Sequence, residues 1–401
     1  MYQIMRIWSC SKSSFVCLRQ VPRTARCFST RHHERVEVRC GSSGHVAIDL
    51  FNVANNSPNA PLIIHLPPFP TQQPTNPQDL PSVIRDWPVA SINYRWHQTT
   101  PQLAPADNPH LPIQWPCPVH DVGFAYAWLT SNLRLPDHTR RDIYVYGSYV
   151  GGSLAASLAL TQTTPHARIG VRGMACFNGI YNWTMFLPDH PVHKKKTRKS
   201  TSMTEALTPP PLVGGAQMEE LLHSVPDLFH KPADLFDAFA SPSLLFHNPG
   251  LHIPSSFDQG NPSMVDKMMK LSLNKDENSV SPEEMVMKPA RKSHLVFPPR
   301  DSTIKIPQTL LIHTAPIVTD VKKKSRKKHT FEAQAEELAD LMRRSIEKVE
   351  FKERQKWDDT DSWEEAARQR VRLQNIGEEA DSIALPVNGE EALIAWLEDI
   401  V

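Results

Sequence analysis

The chain has 401 residues and a formal net charge of +1, with 44 Lys and Arg against 43 Asp and Glu. That balance argues against the broad basic surface by which proteins hold nucleic acid. Apolar residues are 40% and charged residues 22%, enough for a large core, so one α/β domain with an insertion or two domains are expected. The 36 prolines against 15 glycines predict long, stiff irregular connections. Six cysteines, at 10, 17, 27, 40, 117 and 176, have no metal-ligand spacing, so neither metal nor cofactor is expected. No run of 18 apolar residues suggests a membrane span.

The first 33 residues carry Arg6, Lys12, Arg19, Arg23, Arg26 and Arg31, and no acid precedes Glu34. This is the composition of a mitochondrial transit peptide, with cleavage expected after Phe28 and delivery to the matrix. Residues 34–40 and 45–53 alternate about a Gly-Ser-Ser-Gly turn and predict a hairpin. The apolar runs 61–65 and 89–94 predict strands buried on both faces. A helix is expected over 119–133, a strand over 142–146, a small-residue helix over 151–161 and a strand over 169–177. From 188 to 300 prolines and charge runs interrupt short helical pieces, which predicts a cap-like, partly disordered insertion. The core pattern resumes over 301–401. It has a strand over 308–313, a helix on Phe331, Ala335, Leu338, Met342 and Ile346, a last strand starting at 349–351, and a helix over 390–400. The domain plan is therefore a leader over 1–28, core over 34–187, insertion over 188–300 and core over 301–401. The fold class is α/β, a mostly parallel sheet with helices on both faces.

The chemistry is expected where the strand at 143–146 runs into Gly147-Ser148-Tyr149-Val150-Gly151-Gly152 and a helix follows. Glycines spaced in this way permit a sharp strand–turn–helix elbow that lifts one side chain to the sheet edge. His65-Leu66-Pro67-Pro68 ends an earlier strand, Asn93-Tyr94-Arg95 ends another, and Pro116 precedes Asp121 by five residues. Together these stretches resemble the hormone-sensitive-lipase-like esterases of the α/β-hydrolase superfamily. The resemblance implies the α/β-hydrolase sheet, with a nucleophile elbow at 147–151 and an oxyanion hole after His65.

Four departures from that pattern predict a degraded active site. Tyr149 stands where the resemblance implies a serine, and a phenol is a poor acyl acceptor. Pro67 and Pro68 replace glycines whose N–H groups would hold an oxyanion. The triad acid is expected after the strand at 308–313, where the nearest carboxylate is Asp320. The triad histidine is expected between the last strand and last helix, yet no histidine follows His329. A displaced arrangement, Ser148 with Asp320, remains the alternative. The expected function is a non-catalytic hydrolase homologue that binds a small apolar or acyl ligand or a protein partner. The rivals are an active carboxylesterase with relocated residues and a scaffold acting through the insertion.

Overall fold

The structure is a computed structural model that describes residues 33–41, 43–70, 79–96, 113–133, 139–187, 190–193, 213–229, 231–251, 292–316, 329–352, 363–380 and 382–401. The leader, the stretches 194–212 and 252–291 of the insertion, and Asp320 lie outside the described residues.

Eight strands make one sheet. They are β1 (His33–Arg39), β2 (His45–Phe51), β3 (Leu62–Leu66), β4 (Val89–Asn93), β5 (Arg141–Ser148), β6 (Ile169–Phe177), β7 (Gln308–Ala315) and β8 (Val371–Glu378). Their order across the sheet is β1-β2-β4-β3-β5-β6-β7-β8. β2 runs antiparallel to both β1 and β4, and every other neighbouring pair is parallel. One reversed strand near the edge of an otherwise parallel sheet, with the order switching at β3 and β4, is the α/β-hydrolase architecture. The chain has that fold.

The helices are α1 (Cys117–Asn132), α2 (Tyr149–Gln162), α3 (Ala216–Leu228), α4 (Phe331–Ser345), α5 (Trp363–Arg370) and α6 (Val387–Ile400). Strand alternation shows that both faces are covered. On β5, Tyr144 meets Trp396 of α6 with ring centroids 6.2 Å apart. The intervening positions face α2, where a Cβ at Gly147 would lie 2.7 Å from the Cβ of Ala155. The strands β3 and β4 are buried at all five positions, as their unbroken apolar runs require.

The last strand corrects one expectation. Residues 349–351 are not a strand; Ile346–Glu350 continue α4 as a wide helical turn. Phe351 instead packs on Trp363 with ring centroids 5.0 Å apart, and the Arg370 guanidinium lies 5.7 Å from its ring centroid. β8 is an edge strand in which only Val371 is fully buried, so its sequence carries no apolar run to mark it.

The described part of the insertion joins the main core. Met218, Leu221 and Val225 of α3 are almost fully buried. Trp96, Trp115, Trp183 and Phe229 form an aromatic cluster, with Trp96 and Phe229 centroids 5.4 Å apart. Trp96 Nε1 donates to the carbonyl of Leu228 at 2.7 Å, which ties the end of α3 to the stretch after β4.

Candidate active site

The elbow is built as a nucleophile elbow is built. β5 stops at Ser148, and Tyr149 takes φ +48°, the left-handed region that costs a residue with a Cβ roughly 1–3 kcal/mol. The surrounding glycines are held to their identity by close approach. A Cβ at Gly151 would overlap the carbonyl oxygens of Leu66 and Pro67, and one at Gly152 would lie 2.8 Å from the Cα of Gly179.

The side chain at the tip of this turn is a buried phenol. Tyr149 is 1% exposed. Its ring stacks on Phe69 and meets Phe177 and Phe331 edge-on, all with centroids within 5.8 Å. Its hydroxyl donates to Gln217 Oε1 at 2.7 Å and accepts from Asn178 Nδ2 at 3.4 Å. Burial pushes the phenol up to about 12, with the nearby charge of Glu379 adding to it, against the hydrogen bonds it makes with Asn178 and Gln217. A neutral, enclosed phenol offers no nucleophile at physiological pH.

The oxyanion position is occupied from within. Val150 holds the N–H that follows the elbow residue, and this N–H donates to the carbonyl of Pro68 at 3.2 Å. The carbonyl of Pro67 accepts the Tyr94 hydroxyl at 2.8 Å. The prolines therefore do more than lack N–H groups. Their chain turns carbonyls toward the elbow, and one of them takes the donor on which an oxyanion would depend.

Around Tyr149 the end of β7 is tied to the residues that follow β6 and β8. Asn178, itself at φ +47°, donates to Thr314 Oγ1 at 3.0 Å and accepts from the Thr314 N–H at 3.0 Å. The Glu379 N–H donates to the carbonyl of Ala315 at 2.9 Å. Glu379 follows β8, in the connection 379–386 where a triad histidine would stand, and that connection contains no histidine. Burial raises the Glu379 carboxyl above its usual range, partly offset by its hydrogen bond from the backbone of Gln217. That bond, 2.9 Å from the Gln217 N–H, sets the carboxylate at the N-terminus of α3, where free N–H groups favour an acid. Gln217 Nε2 in turn donates to the carbonyl of Ala380 at 2.8 Å. The insertion thus delivers Gln217 as a latch on Tyr149, anchored to the connection after β8.

The other sequence candidates are dispersed. Ser148 is 5% exposed and lies on the α6 side of β5 by alternation with Gly147. Among the described residues, no histidine hydrogen-bonds Ser148 or Tyr149. Ser153 Oγ donates to the carbonyl of Val150 at 2.8 Å, a local bond within α2. His65 is held inside the sheet, sharing a 2.9 Å hydrogen bond with Ser91 Oγ and stacking on Tyr146. Burial lowers it to about 3, so it stays neutral. Arg95 grips the wholly buried Asp121 through Nε at 2.9 Å, Nη2 at 2.6 Å and its own N–H at 2.9 Å. The two matched motifs after β4 and before α1 form a structural clamp. Among the described residues no three His, Cys, Asp or Glu side chains could hold a metal, and no helix is long and apolar enough to cross a membrane.

Sequence reasoning missed Gln217, Asn178, Glu379 and the Pro68 carbonyl. The proline pair was the available signal for the last, since replacing glycines fixes φ and so re-aims the adjoining carbonyls.

Comparison with known proteins shows likeness in structure alone. No protein-family model and no curated protein matches the sequence. Carboxyl esterase 2 from the fungus Tuber melanosporum aligns over 99% of this chain and 95% of its own at 13% identity and a TM-score of 0.44. An esterase of Pyrobaculum calidifontis aligns over 93% and 86% at 13% identity and 0.44. A fungal esterase of Rhizomucor miehei aligns over 92% and 83% at 11% identity and 0.45. At these values the likenesses carry no argument about activity, and the fold rests on the strand order and the elbow.

Proposed function

We propose that this protein is a pseudo-hydrolase: it keeps the α/β-hydrolase frame, performs no ester hydrolysis, and serves as a binding protein for a protein partner. The single observation that carries this reading is the closed elbow, in which the Val150 N–H is bonded to Pro68 and Tyr149 is latched by Gln217. An acyl substrate at this position would have to displace Phe69 or Phe331 from Tyr149 and break the Val150 bond before meeting any donor. Among the described residues it would then find no histidine hydrogen-bonded to Ser148 or Tyr149 to move a proton. The same closure favours a protein partner over an apolar or acyl ligand in the old pocket. The seat of action we propose is the matrix of mitochondria, on the strength of the acid-free basic leader; N-terminal sequencing of protein from isolated mitochondria should then begin near Ser29, and recovery of Met1 would count against it.

The test is hydrolysis of p-nitrophenyl acetate and butyrate by the purified chain. The expected rate is that of buffer. Tyr149→Ser should be equally inert, because restoring a hydroxyl restores neither base nor oxyanion donors. Turnover by the unmodified chain that survives Tyr149→Phe and is lost in Ser148→Ala would replace this reading with a relocated esterase.

A further inference from the structure

At the amino ends of β5, β6 and β7, opposite the elbow, lies a cleft of about 360 Å3. Among the described residues its lining includes the cations Arg140, Arg172, Lys305 and Arg370, with Glu350 as the one carboxylate. That carboxylate is used: Arg370 donates to one oxygen at 2.6 Å and the Ile306 N–H to the other at 2.8 Å. Arg172 is also committed, to Asp142 at 2.8 Å and to the carbonyls of Thr164 and Ala167. The remaining cations have capacity to spare. Arg140 engages Asp142 through Nε alone and is 53% exposed. The Lys305 ammonium has no partner among the described residues, although its backbone N–H is fixed to Thr163 at 3.0 Å. One wall is apolar, made by Ile306 and by Phe351, over which Arg370 lies.

We propose that this cleft binds a small phosphorylated organic molecule, with Arg140 and Lys305 on the phosphate and the Phe351 wall on the organic part. Guanidinium and ammonium groups brought together beyond what local carboxylates neutralise favour a dianion, and an arginine fork suits a phosphate in particular. The volume matches a metabolite-sized ligand, not a nucleic acid strand, which would need a continuous basic track. The site lies roughly 23 Å from the elbow, seven strand residues at 3.3 Å each, so it does not depend on the old catalytic edge.

The experiment follows thermal unfolding of the full chain at constant ionic strength, with inorganic phosphate, phenyl phosphate or sodium chloride as the added salt. A saturable rise in Tm is expected with both phosphates, at lower concentration with phenyl phosphate, and none with chloride. Lys305→Ala, at an ammonium without a partner among the described residues, should weaken the response. The pair Lys305→Ala and Arg140→Ala should raise the half-saturating concentration at least about tenfold while leaving the ligand-free Tm nearly unchanged. A rise that chloride reproduces, or that both variants retain in full, would overturn the site. Equal half-saturation by the two phosphates would overturn the organic-ligand assignment and leave a site for free phosphate.

Discussion

The two edges of the sheet have opposite characters. At the carboxyl edge, donors that a hydrolase would aim at a substrate bond within the chain: Val150 to Pro68, Tyr149 to Gln217, Asn178 to Thr314. At the amino edge, Arg140 and Lys305 keep uncommitted donors on an open cleft. The contrast separates scaffold from chemistry. The close approaches at Gly147 and Gly151 are demanded by the turn whether or not anything reacts there, so the elbow persists as a folding requirement. The polar groups above it are satisfied locally, as buried polar groups must be.

The largest effect of any one substitution is expected at the elbow itself. Gly151→Ala places a methyl against the Leu66 and Pro67 carbonyls and should cost more than about 3 kcal/mol in urea unfolding. Helix propensity alone would make the same change stabilising by about 1 kcal/mol, so the sign decides whether close approach governs this edge. Next, Arg95→Ala strands the wholly buried carboxylate of Asp121 and should cost about 3 kcal/mol; a loss near zero would remove the clamp from the account.

Acid should destabilise the protein by a step at least as large, spread over several groups. Burial holds His65 and His329 at about 3 and His190 at about 4, below the ordinary 6.5 that applies in the unfolded chain. Below 6.5 the unfolded state therefore takes up protons that the folded state refuses, and stability falls as pH drops. Each fully buried histidine contributes on the order of 1.4 kcal/mol per pH unit over that window. Glu337 acts in the same direction lower down: burial opposes its ionisation, but the His247 ring 3.5 Å away and a hydrogen bond from Asn182 outweigh that and hold it at about 2, so its contribution fades below 4.5. The urea midpoint should be lower at pH 5 than at pH 7; a flat or rising midpoint would contradict the buried neutral rings. The smallest change, Tyr149→Phe, keeps the ring packing and leaves Gln217 Oε1 without its donor, at about 1 kcal/mol.

Much of this edge was legible in the sequence because its signals are local. The apolar runs of β3 and β4 and the Gly147/Gly151 spacing each follow from the burial or turn they must satisfy. β8 was misplaced because an edge strand buries little and so carries polar residues. Gln217 and Glu379 were not legible at all: they stand 68 and 230 positions from Tyr149, and nothing in either neighbourhood marks a residue that will meet a tyrosine. The Pro68 carbonyl escaped notice for a different reason. A missing N–H can be read from a proline, but the direction of its carbonyl belongs to the folded backbone.

The central claim, that the elbow is closed and inert, is tested most directly by treating the unmodified chain with a fluorophosphonate probe and mapping adducts by mass spectrometry. The account predicts no adduct on Ser148 or Tyr149, since the first has no base and the second is an enclosed phenol pushed up to about 12. Stoichiometric labelling of Ser148, abolished by Ser148→Ala, would contradict it.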